Sequence, residues 1–459
     1  MTDKELKRSV LIVATFAAFL TPFLGAATNL ALPSIGSEFR VSAINLNWVV
    51  SIYMLSTAMF LLPFGRLADI VGRKKIFFNG ILLFSISSFM VLFARTFGMF
   101  IALRVMQGIS SAMIFGTSLA IITSVFPPGE RGRAMGINVT AVYVGLSSGP
   151  FIGGFLTSWL GWRSIFLFLV PIGIASLLLI ATKMKGEWAG SPEGKFDWKG
   201  SLIYGVSLLL LMYGFSELPG TRGIVLVITG IALFVAFLIF EKRIENPVLP
   251  LSIITGNRVF AWSSLAAFIH YSSTSAIGFF MSLYLQYLKD LDPGQAGLVM
   301  ISQPLTMALL SPLAGKLSDR RNPGVIASAG MALTATGIIL MCFITAETPV
   351  PRIITLLIMM GTGFAFFSSP NTNAIMSSVE KQNLGLASGI VGTMRMTGQM
   401  MSMGISMLLF ALFLGNEIIN PLNYPAFLTS MKTGLVIFAV LCILGVFASL
   451  ARTPGGNKK

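Results

Sequence analysis

Charged side chains are scarce in this chain: they make up 11% of its 459 residues, whereas 55% are hydrophobic. This composition excludes an ordinary water-soluble protein. Apolar stretches of about 20 residues recur along the whole sequence, and each is long enough to cross a bilayer. The first stretch is too long, and is followed by too many others, for a cleaved signal peptide. The sequence therefore predicts a multi-pass protein embedded in a lipid bilayer.

Cysteines and the motifs of enzyme chemistry are also nearly absent. The two cysteines, Cys342 and Cys442, fall in apolar stretches and are spaced for neither metal binding nor redox chemistry, so we interpret them as packing residues. Because we find no nucleotide loop, metal-ligand cluster or nucleophile motif, we expect no enzyme activity, no cofactor and no metal. The net charge of +15 does not indicate a nucleic-acid partner, since the cations lie in short loops between apolar stretches.

Fourteen apolar stretches can be counted, and their loops predict an orientation. With the N-terminus inside the cell, the inner loops and tails hold 23 Lys and Arg residues and the outer loops hold seven. Because basic residues concentrate in cytoplasmic loops, we predict a protein of the cell (plasma) membrane with both termini in the cytoplasm. The predicted spans are 9–33, 45–65, 75–95, 97–124, 133–158, 162–183, 199–217, 222–241, 258–288, 295–315, 323–345, 351–376, 384–414 and 425–451.

A short cationic loop occurs twice and indicates an internal duplication. Residues 65–75 read GRLADIVGRKK and residues 315–321 read GKLSDRR, after the second and tenth spans. This offset pairs span 1 with span 9, so spans 7 and 8 form an inserted pair. Duplicated helical units are usual in secondary transporters. We therefore predict an all-α membrane protein with 14 transmembrane helices: an N-terminal six-helix bundle (1–184), a flexible cytoplasmic linker (185–198), an inserted helix pair (199–245) and a C-terminal six-helix bundle (246–459) related to the first by pseudo-two-fold symmetry.

Four motifs resemble those of one family. The loop GRLADIVGRKK is similar to the cytoplasmic loop signature of the major facilitator superfamily, and residues 103–108 (LRVMQG) resemble its fourth-helix Arg-x-x-Gln-Gly motif. Residues 145–154 (GLSSGPFIGG) resemble the fifth-helix motif associated with antiporters. Residues 29–33 (NLALP) resemble the end of the first-helix motif of the fourteen-helix drug:proton antiporter branch. The resemblance implies alternating access and proton-coupled multidrug efflux of amphipathic small molecules.

Glycines in these motifs are candidate positions of close helix contact and conformational change. Gly145, Gly149 and Gly153 share one helix face, where small residues let helices approach closely, and Pro150 bends its helix. This pattern is compatible with simple tight packing and with a bend that governs how two bundles rock. Asp69 is suited to accept at a helix N-terminus. The gating candidates are Gly65, Asp69, Gly72, Arg73, Gly145, Gly149, Pro150, Gly153, Gly154, Gly315 and Asp319.

Polar residues within the spans are candidates for substrate or proton binding. A cation at membrane depth is costly unless it is buried against partners or water. Arg104 has Gln107 on its own helix face, and the family pattern implies that this Arg lines the cavity; a structural Arg bonded to backbone carbonyls is the alternative. Arg395 lies in a Met-rich run that suits varied apolar ligands or helix packing. Further candidates are Asn29, Tyr53 and, beside a proline in span 12, Asn371 and Asn373.

Carboxylates are missing from the middle of every predicted span. The antiporter branch carries an Asp nine residues before the Pro of its first-helix motif, and Leu24 stands there in this chain, which argues against polyvalent cations as substrates. His270, the single histidine, lies mid-span, and its unperturbed pKa near neutrality suits a proton carrier. A hydrogen-bonded packing role is the alternative for His270. Glu217, in the inserted pair, is the second proton candidate.

These observations together predict a secondary active transporter that exports amphipathic small molecules, with Arg104 and His270 as the polar core of its central cavity. Its expected partners are a small-molecule substrate, protons as the coupling ion and the lipid bilayer, and it is expected to act as a monomer. Two Arg residues within spans, and no acid there, favour a second possibility, a carrier of an anionic or neutral metabolite or lipid. A third is a non-transporting sensor or scaffold on the same fold.

Overall fold

The computed structural model describes residues 3–184, 186–190, 194–244, 247–249, 251–380 and 384–452. Within these ranges every regular element is helical and no strand occurs. The helices are α1 (Asp3–Phe39), α2 (Ala43–Val71), α3 (Arg73–Met90), α4 (Phe97–Val125), α5 (Pro128–Leu160), α6 (Arg163–Lys183), α7 (Trp198–Glu217), α8 (Thr221–Glu241), α9 (Leu251–Gly256), α10 (Arg258–Leu283), α11 (Pro293–Met300), α12 (Ser302–Arg320), α13 (Pro323–Met341), α14 (Val350–Ser377), α15 (Leu384–Phe413) and α16 (Tyr424–Ala451).

The predicted all-α fold with fourteen long segments is confirmed in the described part of the chain. Here α11 and α12 together form one segment, and α9 is a single short helix. Thirteen of the fourteen segments are long and apolar enough to cross a membrane, and α10 is the exception. Helix α10 is rich in serine, and it packs against α1, α14, α15 and α16. Because most of its surface is buried by these helices, α10 needs no continuous lipid-facing apolar side.

Two groups of six segments make up most of the contacts: α1 to α6 pack mainly against one another, and so do α10 to α16. Fourteen segments that cross in alternating directions bring the start of α1 and the end of α16 to the same side of the membrane. We name this side the terminal face and the opposite side the far face. Residues 1–2 and 453–459, and with them the chain termini whose cytoplasmic location the sequence predicts, lie outside the described residues.

The two groups are tied together at the far face. Near the start of α2, the Asn47 side-chain amide donates to the Ser406 hydroxyl of α15 at 2.7 Å. At the end of α5, Ser158 Oγ donates to Asp292 Oδ1, the residue that caps α11, at 3.1 Å. The backbone N–H of Ala43 donates to the Glu417 carbonyl at 3.0 Å. The far face is therefore closed in this conformation.

The inserted pair, α7 and α8, lies beside the contact between the two groups. Helix α7 packs against both α2 and α15, one helix from each group. The Tyr204 hydroxyl donates to the Ala58 carbonyl of α2 at 3.2 Å, while Phe215 of α7 covers Gly404 of α15. Most of α8 beyond its contact with α7 is exposed. Helix α7 therefore touches both groups of helices, and α8 covers the outer side of α7.

The segment after α6 differs from the flexible linker expected over 185–198. Glu187 accepts hydrogen bonds from the backbone N–H groups of Lys74 and Lys75, at 2.7 and 3.2 Å, and the Trp188 carbonyl accepts from Arg73 N at 2.8 Å. Glu187 thereby caps the start of α3, where an anion is favourable. Lys185 and residues 191–193 lie outside the described residues, but 186–190 are bound to the cationic loop rather than free.

Candidate functional site

The cationic loop at the end of α2 is held by an ion pair across the turn. Arg73 and Asp69 approach to 2.7 Å, and the same guanidinium donates to the Ala120 carbonyl at 3.2 Å and the Ser124 hydroxyl at 2.7 Å, both near the end of α4. Gly72 has φ +121°, which disfavours any residue with a Cβ. The loop thus connects α2, α3 and α4 on the terminal face, within one bundle.

The second copy of this loop makes a different contact. Asp319 Oδ1 accepts from the Asn373 amide at 3.1 Å, and the Ser318 hydroxyl accepts from the same amide at 3.0 Å. Gly315 lies against the Ser369 hydroxyl of α14. Asn373, expected to bind substrate, is therefore engaged with the loop that ends α12.

The glycine face of α5 packs against α1 of the same bundle. A Cβ on Gly145 would lie 2.7 Å from the Phe19 carbonyl, and a Cβ on Gly149 would lie 2.6 Å from Ala26 Cβ. A Cβ on Gly153 would lie 2.5 Å from Ala27 Cβ. Real Cβ atoms do not approach so closely, so this face requires glycine for the contact of α1 with α5.

The next positions of α5 form a reciprocal contact with α11, across the two bundles. A Cβ on Gly154 would collide with the Pro293 carbonyl, and a Cβ on Gly297 would collide with the Pro150 carbonyl. Each helix therefore offers one proline carbonyl and, four residues later, one glycine to its partner. Because the obstructing atoms belong to backbone, they cannot rotate away. We name this close approach of the two bundles the far-face glycine contact.

Arg104 is fully buried in the first bundle. Its Nε donates to the Val49 carbonyl at 3.0 Å, and Nη1 donates to Gln107 Oε1 at 2.9 Å. The guanidinium carbon lies 4.5 Å from the centre of the Tyr53 ring, a cation–π distance. The remaining nitrogen, Nη2, is buried without a hydrogen-bond partner. Arg104 thus donates a hydrogen bond to a backbone carbonyl, as expected of a structural Arg, but its Nη2 donor remains free.

Arg395 lies where helices of both bundles meet. Its guanidinium is 5.6 Å from the centre of the Tyr271 ring of α10, and it lies near Tyr53 of α2 and Tyr143 of α5. Tyr143 in turn lies close to Ser311 and Ser368 of the second bundle. We name Tyr53, Tyr143, Tyr271, Arg104 and Arg395 the central cluster. Among the described residues, no carboxylate is paired with either Arg, and Arg395 Nε is buried without a partner.

Two members of the central cluster, Tyr143 and Tyr271, are missing from the residues that the sequence singles out. Tyr271 directly follows His270, and Tyr143 precedes the fifth-helix glycine motif by two residues. Their positions next to singled-out residues were the only available signal. Which helix face each one presents is decided by packing.

His270 does not join this cluster by a hydrogen bond. Its imidazole stacks on Phe367 at 4.0 Å between ring centres and meets Phe364 edge-on at 4.5 Å, both on α14. Both ring nitrogens are buried without a partner. The hydroxyls of Ser273 and Thr274, one turn further along α10, bond to the backbone carbonyl of His270 and not to its ring. The expected polar core of Arg104 and His270 is therefore split: one is held in each bundle.

The remaining amide candidates serve helix contacts in the second bundle or between bundles. Asn29 lies near Gly278 of α10, and its Oδ1 is buried without a partner. Asn371 donates to the Ser263 carbonyl at 3.1 Å and accepts from Arg452. Arg452, counted from sequence as a loop cation, is only 2% exposed. Burial lowers the pKa of Arg452 to about 10, which still leaves it charged at neutral pH.

Two helical bundles with pseudo-repeated loops around a polar centre define a secondary transporter. The chain matches the model of the Major Facilitator Superfamily over residues 14–403 and again over 263–459. It is 31% identical to the riboflavin transporter RibZ of Clostridioides difficile (strain 630), over 84% of each chain. It is 29% identical to the cephamycin export protein CmcT of Amycolatopsis lactamdurans, over 98% of this chain and 94% of that one.

The fold agrees with a solved structure over nearly its whole length. A bacterial homolog of the human lysosomal transporter Spinster, crystallised in an inward-facing and unoccupied conformation, superposes with a TM-score of 0.71, 17% identity and 97% coverage of both chains. The chain belongs to the Major Facilitator Superfamily and is a membrane transporter. This confirms the family predicted from the motifs and the expectation that the protein is not an enzyme.

Proposed function

We propose that this protein exports neutral or anionic amphipathic small molecules from the cytoplasm in exchange for protons. The observation that carries the proposal is the central cluster: three tyrosines and two Arg residues, drawn from both bundles, with free guanidinium donors and no described carboxylate partner. A site contributed by both bundles is rebuilt whenever the bundles rock, which alternating access requires.

The chemistry of the cluster favours flat or apolar ligands with an acceptor group. Tyrosine rings offer large apolar faces and a polar tip, and a free guanidinium N–H is a strong partner for a carbonyl or carboxylate. A dication would meet two positive groups with nothing to balance them. The names of the two relatives, a riboflavin transporter and a cephamycin exporter, agree with small organic substrates.

The direction of export depends on which side the terminal face occupies. The far face is closed by the Asn47–Ser406 and Ser158–Asp292 bonds. With the predicted cytoplasmic N-terminus, the described conformation is inward-facing. Substrate entry from the cytoplasm, followed by opening of the far-face glycine contact, would complete an export step.

His270 is the proposed proton carrier. Its unpartnered ring nitrogens and its position next to Tyr271 support this role, since a substrate that moves Tyr271 would also change the exposure of the neighbouring imidazole. A buried imidazole between Phe364 and Phe367 is unfavourable in the charged form. Protonation therefore requires water to reach it, which ties proton uptake to the opening of the cavity.

The same Arg residues favour a second function, proton-coupled uptake of an organic anion. An anion bound at Arg395 attracts a proton at a neighbouring site, so the two bind together and move in the same direction. A neutral substrate gives no such attraction and is compatible with competition and exchange. Whether an anionic substrate moves with protons or against them therefore distinguishes this uptake from the proposed export.

Binding measurements on Arg395→Gln test the substrate class. The probes are an amphipathic aromatic carboxylate, its neutral methyl ester and a bis-quaternary ammonium dication, titrated into purified protein at two pH values. A hydrogen bond to a charged group contributes about 1.5–3 kcal/mol, so the substitution should weaken carboxylate binding by at least about tenfold and ester binding less. Arg352→Gln, at an exposed Arg of the far face, is the matched control. Tight binding of the dication within the cavity of the wild-type protein contradicts the proposal.

Proteoliposome transport by His270→Gln tests the coupling. Glutamine keeps hydrogen-bonding groups but does not titrate near neutrality. Uphill transport driven by a pH gradient should be lost, while downhill exchange of substrate continues at a rate similar to that of the wild-type protein. Uphill transport by the variant would move the coupling to another group, and Glu217 is then the next residue to replace.

A further inference from the structure

Two acidic side chains meet at the open end of the inserted pair, on the terminal face and away from the central cluster. Asp197 caps α7, and its Oδ1 accepts from the Gly200 backbone N–H at 2.9 Å. Glu241 is the last residue of α8, and its Oε2 accepts from the Leu249 backbone N–H at 2.7 Å. Each carboxyl group thus uses one oxygen to hold a turn of the backbone.

The second oxygen of each group has no donor. Asp197 Oδ2 and Glu241 Oε1 are both buried without a hydrogen-bond partner, and the Glu241 residue is only 2% exposed. Both oxygens converge on Gly200: a Cβ there would lie within 2.5 Å of either one. The two carboxyl groups are within hydrogen-bonding reach of each other. Ionised carboxylates only accept hydrogen bonds, so a bond between these two requires one further hydrogen.

Cations do not provide that hydrogen in the part of the chain that the structure describes. Among the described residues, Asp197 is the charged group next to Glu241, and the stretch 248–249 contributes backbone N–H groups. Helix α9 carries no charged residue. The charged residues on the surrounding elements are Lys195 and Lys199 near the start of α7, Lys242 and Arg243 after α8, Arg66 and Asp69 on α2, Glu380 before α15, and Arg395 on α15.

We infer that Asp197 and Glu241 form a proton-binding carboxyl pair, in which one shared proton bonds Asp197 Oδ2 to Glu241 Oε1. Two buried like charges in contact repel strongly, so such a pair holds one proton where separate carboxylates would hold none. The ligand is the proton itself, and the site is separate from the proposed carrier His270.

The position of the pair gives the proton a structural effect. The carboxyl pair joins the start of α7, the end of α8 and the stretch that leads to α9. Helix α7 in turn packs on α2 and α15, which belong to opposite bundles. Loss of the proton leaves two negative charges facing each other beside Gly200. The start of α7 and residues 248–249 should then open more often on the terminal face.

Infrared spectroscopy of the full-length protein in nanodiscs tests the pair directly. A protonated carboxyl group gives a carbonyl-stretch band that a carboxylate lacks. We expect such a band in the wild-type protein at neutral pH, and its loss in both Glu241→Gln and Asp197→Asn. Each amide keeps its backbone hydrogen bond and supplies the missing donor, so both variants should fold. Glu347→Gln, at an exposed carboxylate of the far face, should keep the band.

Hydrogen–deuterium exchange measured against pH provides the second readout. After correction for the intrinsic pH dependence of exchange, peptides over 197–204 and 241–252 should exchange at least about threefold faster above the pH at which the band disappears. This step should be absent in Glu241→Gln and Asp197→Asn. No band in the wild-type protein at neutral pH, or a band that survives in both variants, would overturn the inference. So would a step that moves when sodium is replaced by N-methylglucamine, because the pair would then bind a metal cation.

Discussion

The far-face glycine contact offers the most quantitative test of how this transporter changes conformation. In Gly297→Ala the new methyl group collides with the Pro150 carbonyl, and in Gly154→Ala it collides with the Pro293 carbonyl. Backbone cannot move aside without separating α5 from α11, so the far face should no longer close fully. Overpacking costs about 1–3 kcal/mol, which corresponds to about a 5- to 150-fold fall in the far-face-closed population relative to other states.

Spin-label distances across the far face report this shift. Labels at Arg95→Cys and Arg352→Cys, both exposed and one on each bundle, are placed in a protein whose Cys342 and Cys442 are replaced by alanine. In double electron–electron resonance, the wild-type protein should show one dominant, short distance between the two labels. In Gly297→Ala a longer distance between the labels should dominate. Substrate binding or a change of pH should then alter the distribution less in the variant, because it already favours the open far face.

Two glycines of the same helix, α5, make the controls. Gly136 has no atom within 4 Å of its would-be Cβ, so Gly136→Ala should leave both distance and stability unchanged. Gly149 packs inside the first bundle, 2.6 Å from Ala26 Cβ, so Gly149→Ala or Gly149→Leu should lower thermal stability without opening the far face. An unchanged distance distribution in Gly154→Ala and Gly297→Ala, at unchanged stability, would refute the reasoning.

Two further predictions concern the terminal face. Asp69→Asn removes the charged partner of Arg73, so turnover in proteoliposomes should fall while expression and detergent stability stay near those of the wild-type protein; unchanged turnover would remove the gating role of Asp69. Arg452→Met breaks hydrogen bonds to Gly324 and Ser449 inside the second bundle, each contributing about 1.5–3 kcal/mol for a charged donor. Its thermal unfolding should begin at a clearly lower temperature, whereas Arg243→Met, at an exposed Arg, should unfold like the wild-type protein.

The sequence by itself determined the class of the fold, because the bilayer restricts what an apolar chain can form. With no water to satisfy backbone groups, each long apolar stretch must be a helix, and fourteen such stretches predicted the fourteen segments that the structure describes. The repeated loop at 65–75 and 315–321 predicted the duplication, and the motifs around it predicted the family. These signals are local, since each depends on residues within one helix or one turn.

Only the tertiary structure decided which faces meet and which polar groups are free. The spacing of Gly145, Gly149 and Gly153 predicted a close contact but not that its partner is α1, whereas the adjacent Gly154 faces the other bundle. His270 and Tyr271 are neighbours in sequence, yet one is enclosed by Phe364 and Phe367 while the other faces Arg395.

The sequence likewise did not predict which charged side chains become buried or which groups they contact. Asp197 and Glu241 lie 44 positions apart, one in the predicted linker and the other at the end of a predicted span, and Arg452 follows the last helix like an ordinary tail cation. Their burial arises because helices distant in sequence converge on the terminal face and exclude water there. Side-chain burial depends on how distant helices pack together. A short stretch of sequence therefore does not predict it.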